Sequence, residues 1–269
     1  MMDAVAIGPF VLPLERLFTV LALAGFLGMA ELMARRTKLP GWPNWAWNAV
    51  MAGLLAARLG YVAAHWPVFR EQPLSIAYVW QGGFDPVWGV LGGAVYTLVA
   101  FRARPQALRP AVWPALSGAA VALALFSVAS VKAPGQAELP DLTLTTLAGA
   151  PRNLSDFRGQ PVVLNVWATW CPPCRREMPM LAEAEAKNPG VAFVFVNIGE
   201  RAGQVQAYLD EQGLFFNHML LDPGQRLVPR LNVIGFPTTF FFDREGVMVA
   251  RKTGELSRAA LEDLLARLR

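Results

Sequence analysis

Asn165-Val166-Trp167-Ala168-Thr169-Trp170-Cys171-Pro172-Pro173-Cys174 holds both cysteines of a 269-residue chain, separated by two residues. Ahead of them, Pro161 to Trp167 is an apolar run of the length of a buried strand. Behind them, Arg175-Arg176-Glu177-Met178-Pro179-Met180-Leu181-Ala182-Glu183-Ala184 reads as a helix. A strand that delivers C-x-x-C to a helix start suits dithiol chemistry. Backbone N–H groups and the positive helix end stabilise a thiolate at Cys171, the nucleophile of disulfide exchange. Cys174, one turn into the helix, is placed to resolve a mixed disulfide. Competing uses of the pair fit less well. Tetrahedral zinc needs four ligands, and the only histidines are the isolated His65 and His218. Haem attachment needs a histidine after the second cysteine, where Arg175 stands. A structural disulfide remains as an alternative, though it closes a loop too short to stabilise much. No metal and no other cofactor is expected.

Charge and apolarity divide the chain near Lys132. Up to that residue there are ten Lys/Arg against five acids, and beyond it fourteen against fifteen, so the net +4 arises from +5 and −1. The hydrophobic content of 54% is concentrated in the first part. Two domains are expected, a transmembrane domain over 1–133 and an α/β domain over 134–269, joined by the turn-rich linker 132–140. The second part has no basic stripe, which argues against nucleic acid as a partner.

Four candidate spans lie in the first half: Leu17 to Ala34, Trp45 to Trp66, Pro86 to Phe101 and Ala111 to Val131. The last is 21 residues without a charge, and about 20 residues cross the hydrocarbon core. Gly89, Gly92 and Gly93 suit close helix packing. Gly28-Met29-Ala30 would pass as a cleavage site, but no strong basic cluster precedes it and three further spans follow, so the first span is expected to be an anchor. Arg35, Arg36 and Lys38 follow the first span, and Arg102, Arg104 and Arg109 follow the third. The loop between has only Arg70, balanced by Glu71 and Asp85. The positive-inside rule therefore puts the N-terminus and everything after the fourth span outside the cytoplasm, in a disulfide-permissive compartment. Within the spans, Glu31 and Arg58 read either as a lipid or substrate site or as a buried ion pair. Trp42, Trp45 and Trp47 read as an interfacial belt.

Ile7-Gly8-Pro9-Phe10, Ala57-Arg58-Leu59-Gly60-Tyr61-Val62 and Trp80-Gln81-Gly82-Gly83 through Leu91-Gly92 resemble the N-terminal spans of prolipoprotein diacylglyceryl transferase, over roughly 7 to 101. That family has an essential histidine in a His-Gly-Gly-Leu-Leu-Gly stretch, where this chain has Val87-Trp88-Gly89-Val90-Leu91-Gly92. The family's later Arg, Asn and Glu signature is missing. Val87 cannot move a proton, so the resemblance implies a retained scaffold without acyl transfer, serving as an anchor or a dock for membrane lipid or a partner.

In the second half, Leu142 to Leu147 alternates as a strand, and Val191 to Ile198 is another buried strand. Val205 to Glu211, Gly224 to Leu231 and Leu256 to Leu268 read as helices. Pro237 to Asp243 and Val247 to Arg251 read as a hairpin around Arg244-Glu245-Gly246. This order, with the Trp-Ala-Thr-Trp-Cys-Pro-Pro-Cys-Arg-Arg-Glu-Met-Pro stretch and Gly235-Phe236-Pro237-Thr238-Thr239, resembles the thioredoxin fold. It is most similar to the TlpA/ResA branch of membrane-tethered thiol-disulfide oxidoreductases, over about 138 to 269. The expected fold class is thus an α-helical membrane domain of four transmembrane helices followed by an α/β thioredoxin-fold domain. The resemblance implies a redox disulfide Cys171–Cys174, a cis Pro237 preceded by Phe236 that docks a substrate chain, and an active-site glutamate at Glu177. Thioredoxin has a buried aspartate where this chain has Asn165.

Residue chemistry sharpens that expectation. Pro172 and Pro173 lack N–H groups, so Cys174 N–H is the nearest donor left for the Cys171 sulfur. A thiolate with few donors makes a weak oxidant, and a reductant is therefore expected. Glu177, on the same helical face as Cys174, is a candidate base; the alternative is an ordinary solvated acid near a helix start. Trp170 is expected to shield the dithiol and line a substrate groove, Trp167 to be core, and Arg175 and Arg176 to be solvated. The expected activity is reduction of disulfides in extracytoplasmic protein substrates, at the bacterial inner membrane. Apocytochrome c, a copper-site protein or misoxidised proteins in general are clients left open. The membrane half has no cysteine, and the resemblance implies a separate transmembrane electron donor of the DsbD/CcdA kind. An oxidase or isomerase, and a lipid- or client-binding module that only docks partners, are the alternatives.

Overall fold

The computed structural model describes residues 4–7, 10–37, 42–131 and 137–268. Gly8, Pro9, Lys38 and the 132–136 part of the linker lie outside them. The described residues fall into two compact units, one within Leu14–Ala133 and the other within Pro134–Arg269 together with the strands that precede Leu14. The chain opens with β1 (Ala4–Ile7) and β2 (Phe10–Pro13), an antiparallel pair that nothing in the reading of the sequence foresaw.

Helices follow: α1 (Leu14–Thr37), α2 (Trp42–Ala64), the one-turn α3 (Trp66–Phe69), α4 (Pro86–Ala100) and α5 (Leu108–Val131). Among the described residues two stretches, Leu17–Arg36 and Pro105–Leu125, are long and apolar enough to cross a bilayer, while the apolar Pro86–Ala100 is shorter. In α2, three tryptophans, Asn44, Asn48 and Arg58 dilute the apolar character. α4 packs closely on α2: a Cβ at Gly92 would stand 2.3 Å from Ala56 Cβ, so only glycine allows this approach. Asp85 caps α4 by accepting from Val87 and Trp88 N–H groups at 2.8 and 3.1 Å.

Two readings of the first half are corrected. Trp42 and Trp45 are not an interfacial belt but the centre of this unit's core. They are buried with Ala30, Phe101, Ala107 and Ala111, and Trp42 Nε1 donates to Ala30 O at 2.9 Å. Trp47 alone of the three is exposed. Arg58 and Glu31 do not pair. Glu31 is exposed and bridges Arg35 one turn away. Arg58 is buried and donates to the carbonyls of Ser75, Ile76, Gly82 and Gly83 at 2.7–3.0 Å. A guanidinium has five N–H donors and no acceptor; here they are spent on the loop between α3 and α4, so Arg58 is a structural tie for that loop.

The second unit is built on a seven-stranded sheet of β3 (Thr143–Thr146), β4 (Pro151–Asn153), β5 (Val162–Trp167), β6 (Ala192–Ile198), β7 (Met219–Asp222), β8 (Thr238–Phe242) and β9 (Met248–Thr253). Its order is β4-β3-β7-β6-β5-β8-β9, with β5, β6 and β7 parallel and the rest antiparallel. The helices are α6 (Pro172–Lys187), α7 (Ala202–Gln212), the one-turn α8 (Leu227–Arg230) and α9 (Arg258–Ala266). A helical N-terminal region followed by an α/β thioredoxin-like domain is therefore present. The short β4 and β7 were missed in the sequence; Met219-Leu220-Leu221 ahead of Asp222-Pro223-Gly224 was the available signal for β7.

Both faces of the sheet are covered, which is why β5, β6 and β8 read as unbroken apolar runs. On one face Val163, Trp167, Phe193, Phe195 and Phe241 pack with Met178, Leu181, Leu209 and Leu261 from α6, α7 and α9. On the other, Val162, Leu164, Val194 and Phe240 pack with Leu144, Leu154, Phe157 and Leu227. Asn165 falls on the α6 face because strand side chains alternate. Removing the fully buried ring in Phe241→Ala is expected to cost about 3–5 kcal/mol. The exposed Phe215→Ala is expected to stay within about 0.5 kcal/mol of wild type. Urea midpoints of the α/β unit in the full-length protein read both.

Candidate active site

β5 ends at Trp167, and Ala168 to Cys171 form a turn closed by Cys171 N–H donating to Ala168 O at 3.3 Å. Cys171 is the N-cap of α6, with Pro172 and Pro173 in the first helical positions. Proline is tolerated there because those N–H groups have no helical partner in any case. The first amide that can reach the cap is Cys174 N–H, which donates to Cys171 Sγ at 3.3 Å. Cys171 and Cys174 form a disulfide, and both are buried.

Glu177 lies one turn beyond Cys174 and is only 2% exposed, so it is not the solvated acid of the alternative reading. One carboxylate oxygen accepts from Asn165 Nδ2 at 2.8 Å, and the other from Leu256 N–H at 2.9 Å. Asn165 Nδ2 also donates to Thr239 Oγ1 at 3.0 Å, across the β5–β8 pair in which the two residues face each other. Burial pushes the Glu177 carboxyl up to about 8, against the opposing hydrogen bonds from Leu256 and Asn165; nearby Glu255 adds to the rise and Arg176 opposes it.

The Phe236–Pro237 peptide bond is cis. Pro237 O accepts from Gly254 N–H at 2.8 Å, and Thr238 Oγ1 donates to Gly235 O at 2.7 Å, which together hold the loop. Trp170 is 63% exposed, and its ring stands edge-on to Phe236 with centroids 5.8 Å apart. The two rings thus form an apolar edge. Trp167 is fully buried against Tyr208. Of the arginines, Arg175 lies over the Tyr208 ring and Arg176 pairs with Glu255 at 2.5 Å, so neither is simply solvated.

Behind the turn lies a second buried carboxylate that reading the sequence passed over. Glu200, 7% exposed, accepts from Thr169 N–H at 2.8 Å, from the Thr169 hydroxyl and from Asn197 Nδ2 at 2.6 Å. An acid two residues beyond a buried strand carries no periodic signal. Only the parallel pairing of β5 with β6, Trp167 facing Asn197, brings it to the turn.

A C-x-x-C pair at a helix N-terminus with a buried acid one turn below it, at the end of the central strand of this sheet, defines a thiol-disulfide oxidoreductase of thioredoxin-like fold. Comparison with known proteins agrees. The Redoxin family matches residues 133–266, and prolipoprotein diacylglyceryl transferase matches residues 4–129. Thiol-disulfide oxidoreductase ResA of Geobacillus kaustophilus is 38% identical over 125 residues, covering 46% of this chain and 71% of that protein. ResA of Bacillus subtilis is 33% identical over 130 residues, covering 48% and 72%. The thioredoxin-like protein YneN of Bacillus subtilis is 34% identical over 132 residues, covering 48% and 76%. The chain belongs to the ResA family of thiol-disulfide oxidoreductases, and its helical half marks it as membrane-associated.

The raised carboxyl has a measurable consequence. Because the folded pKa of about 8 lies above that of the unfolded chain, the folded protein holds one extra proton between the two values. Stability then falls as pH rises through that interval, by on the order of 4 kcal/mol between about pH 5 and the upper pKa. Urea unfolding of the oxidised protein across this range is expected to show the slope in wild type and its absence in Glu177→Gln.

Proposed function

We propose that this protein is a membrane-anchored reductase of disulfides in extracytoplasmic proteins, acting through Cys171 and Cys174. The observation that carries the direction is the donor-poor cap: Cys171 Sγ receives one N–H, from Cys174, while Pro172 and Pro173 offer none. Few donors leave the thiolate weakly stabilised, so the reduced form is held less strongly and gives up its electrons more readily. In the reductive cycle the Cys171 thiolate attacks a substrate disulfide, forming a mixed disulfide and releasing one substrate thiolate. Cys174 then attacks Cys171 Sγ, closing the protein disulfide and releasing the second substrate sulfur as a thiolate. Glu177, in its ionised form, takes up the proton of Cys174. Trp170, Phe236 and Pro237 hold the substrate chain beside the dithiol.

Regeneration needs two electrons from a separate transmembrane donor of the DsbD/CcdA kind, since the helical unit has no cysteine of its own. That unit serves as anchor and lipid contact, with four spans. Exposed Trp47, Met51, Leu55 and Leu59 form an apolar stripe on α2, and Val87, Leu91, Val95 and Leu98 form one on α4; such stripes suit hydrocarbon as solvent. Acyl transfer is absent from this reading. Val87 stands where the related family has its histidine, and Trp88, at a glycine of that stretch, lies so close that a Cβ on Gly60 would be 2.2 Å from its ring. In this reading 1–133 is a non-catalytic transmembrane anchor and 134–269 the catalytic thioredoxin-like domain.

Equilibration of the full-length protein with glutathione or thioredoxin tests the direction. A potential near thioredoxin's ~−270 mV is expected, and one near ~−120 mV, as for DsbA, would make the protein an oxidant. Cys171→Ser is expected to abolish disulfide reduction while Cys174→Ser accumulates mixed disulfides with clients, whose identification names the substrates. A protein that binds clients equally well and retains its physiological effect with Cys171→Ser is instead the docking module. Because both cysteines lie in one motif, a membrane-impermeant maleimide added to intact cells is expected to label the reduced protein; labelling only after the membrane is opened would reverse the topology.

A further inference from the structure

We propose that Glu200 is a positioning residue for thiol-disulfide exchange, fixing through Thr169 the turn that presents Trp170 and Cys171 to a peptide disulfide. β6 ends at Ile198, and Gly199, at φ +78°, turns the chain so that Glu200 lies over the end of β5. Its carboxylate gathers three donors, two of them from Thr169: the backbone N–H and the hydroxyl. The third, Asn197 Nδ2, holds the carboxylate from the β6 side. The Glu200 side chain is largely shielded from water.

Thr169 is the second residue of the Ala168–Cys171 turn, and Trp170 the third. Pinning both the amide and the hydroxyl of Thr169 leaves the following peptide one orientation. The Trp170 ring is then set against Phe236, and Cys171 is set at the head of α6. A substrate chain on Pro237 must meet both at once. Glu200 touches neither sulfur nor substrate, so its effect passes wholly through the turn. A purely structural carboxylate would lower stability when removed without distinguishing a peptide disulfide from a small reagent. The inference rests on the reductase reading only for its choice of substrate.

The test uses the full-length reduced protein in detergent, with a peptide disulfide as substrate and iodoacetamide as a small reagent for the Cys171 thiolate. In Glu200→Gln the amide oxygen can keep Thr169 N–H and Asn197 Nδ2. The NH2 group then meets the Thr169 hydroxyl, which must turn from donor to acceptor, and the hold on the turn is weakened. Its rate with the peptide disulfide is expected to fall about 10-fold or more, because sub-ångström to ångström misplacement has costs of this order, while alkylation stays within about 2-fold of wild type. Thr169→Val should reproduce the loss, Thr169→Ser should restore the wild-type rate, and the double variant Glu200→Gln/Thr169→Val should be no slower than either single one. Unchanged peptide rates in folded variants, equal losses toward both reagents, or multiplying losses in the double variant would each overturn the proposal. Should Glu200→Gln fail to fold, the Thr169 pair decides alone: loss with Val and retention with Ser supports it, and equal rates overturn it. A wild type inert toward the peptide disulfide overturns the reductase reading and this inference together, whereas an active wild type with unaffected variants overturns the positioning role alone.

Discussion

A carboxyl group with almost no access to water, directly along the helix from the dithiol, is the constraint around which the α/β unit is arranged. Ionised carboxylates are costly to bury unless donors surround them. Glu177 receives two, and each comes from a different part of the chain: Asn165 from the central strand, and Leu256 N–H from the segment leading to α9. The strand, the active-site helix and the C-terminal segment are thereby tied at one point. Gly254, two residues before Leu256, reaches Pro237, so the same segment also holds the proline loop. Chemistry and architecture meet at the same few atoms.

Two acids flank the active-site turn, and they do different things. Glu177 sits with two donors and a carboxyl pushed up to about 8 by burial, which suits a group that exchanges a proton near neutral pH. Glu200 has three donors and sits behind the turn, where its oxygens organise backbone rather than meet a sulfur. Each leans on an asparagine, Asn165 in β5 and Asn197 in β6, which are amides set within otherwise apolar strands. An amide at either position brings donors to a carboxylate without adding a second charge.

Much of this was legible in the chain because the decisive signals are local. The C-x-x-C after an apolar run, the two prolines, and the Phe236-Pro237-Thr238 stretch each specify a short geometry. The order of strands and helices was readable for the same reason, since covered sheets leave continuous apolar runs. What escaped depended on contacts distant in sequence. Trp42 and Trp45 look like a belt by position, yet Phe101 and Ala111, some sixty residues on, bury them. Arg58 looks like half of an ion pair, yet carbonyls of a loop seventeen and more residues away saturate it. Glu200 was silent until β6 was laid beside β5. Short strands such as β7 are held by their neighbours more than by their own composition.

Titrating the Glu177 carboxyl itself tests the account most directly. Carboxyl-region infrared difference spectra of the oxidised full-length protein, with Glu177→Gln as the reference, isolate its protonation. An apparent pKa near 8 is predicted. A value near the ordinary carboxylate range of about 4 would mean that Glu177 stays charged throughout neutral pH, and its proposed exchange of a proton with Cys174 near neutral pH would not stand.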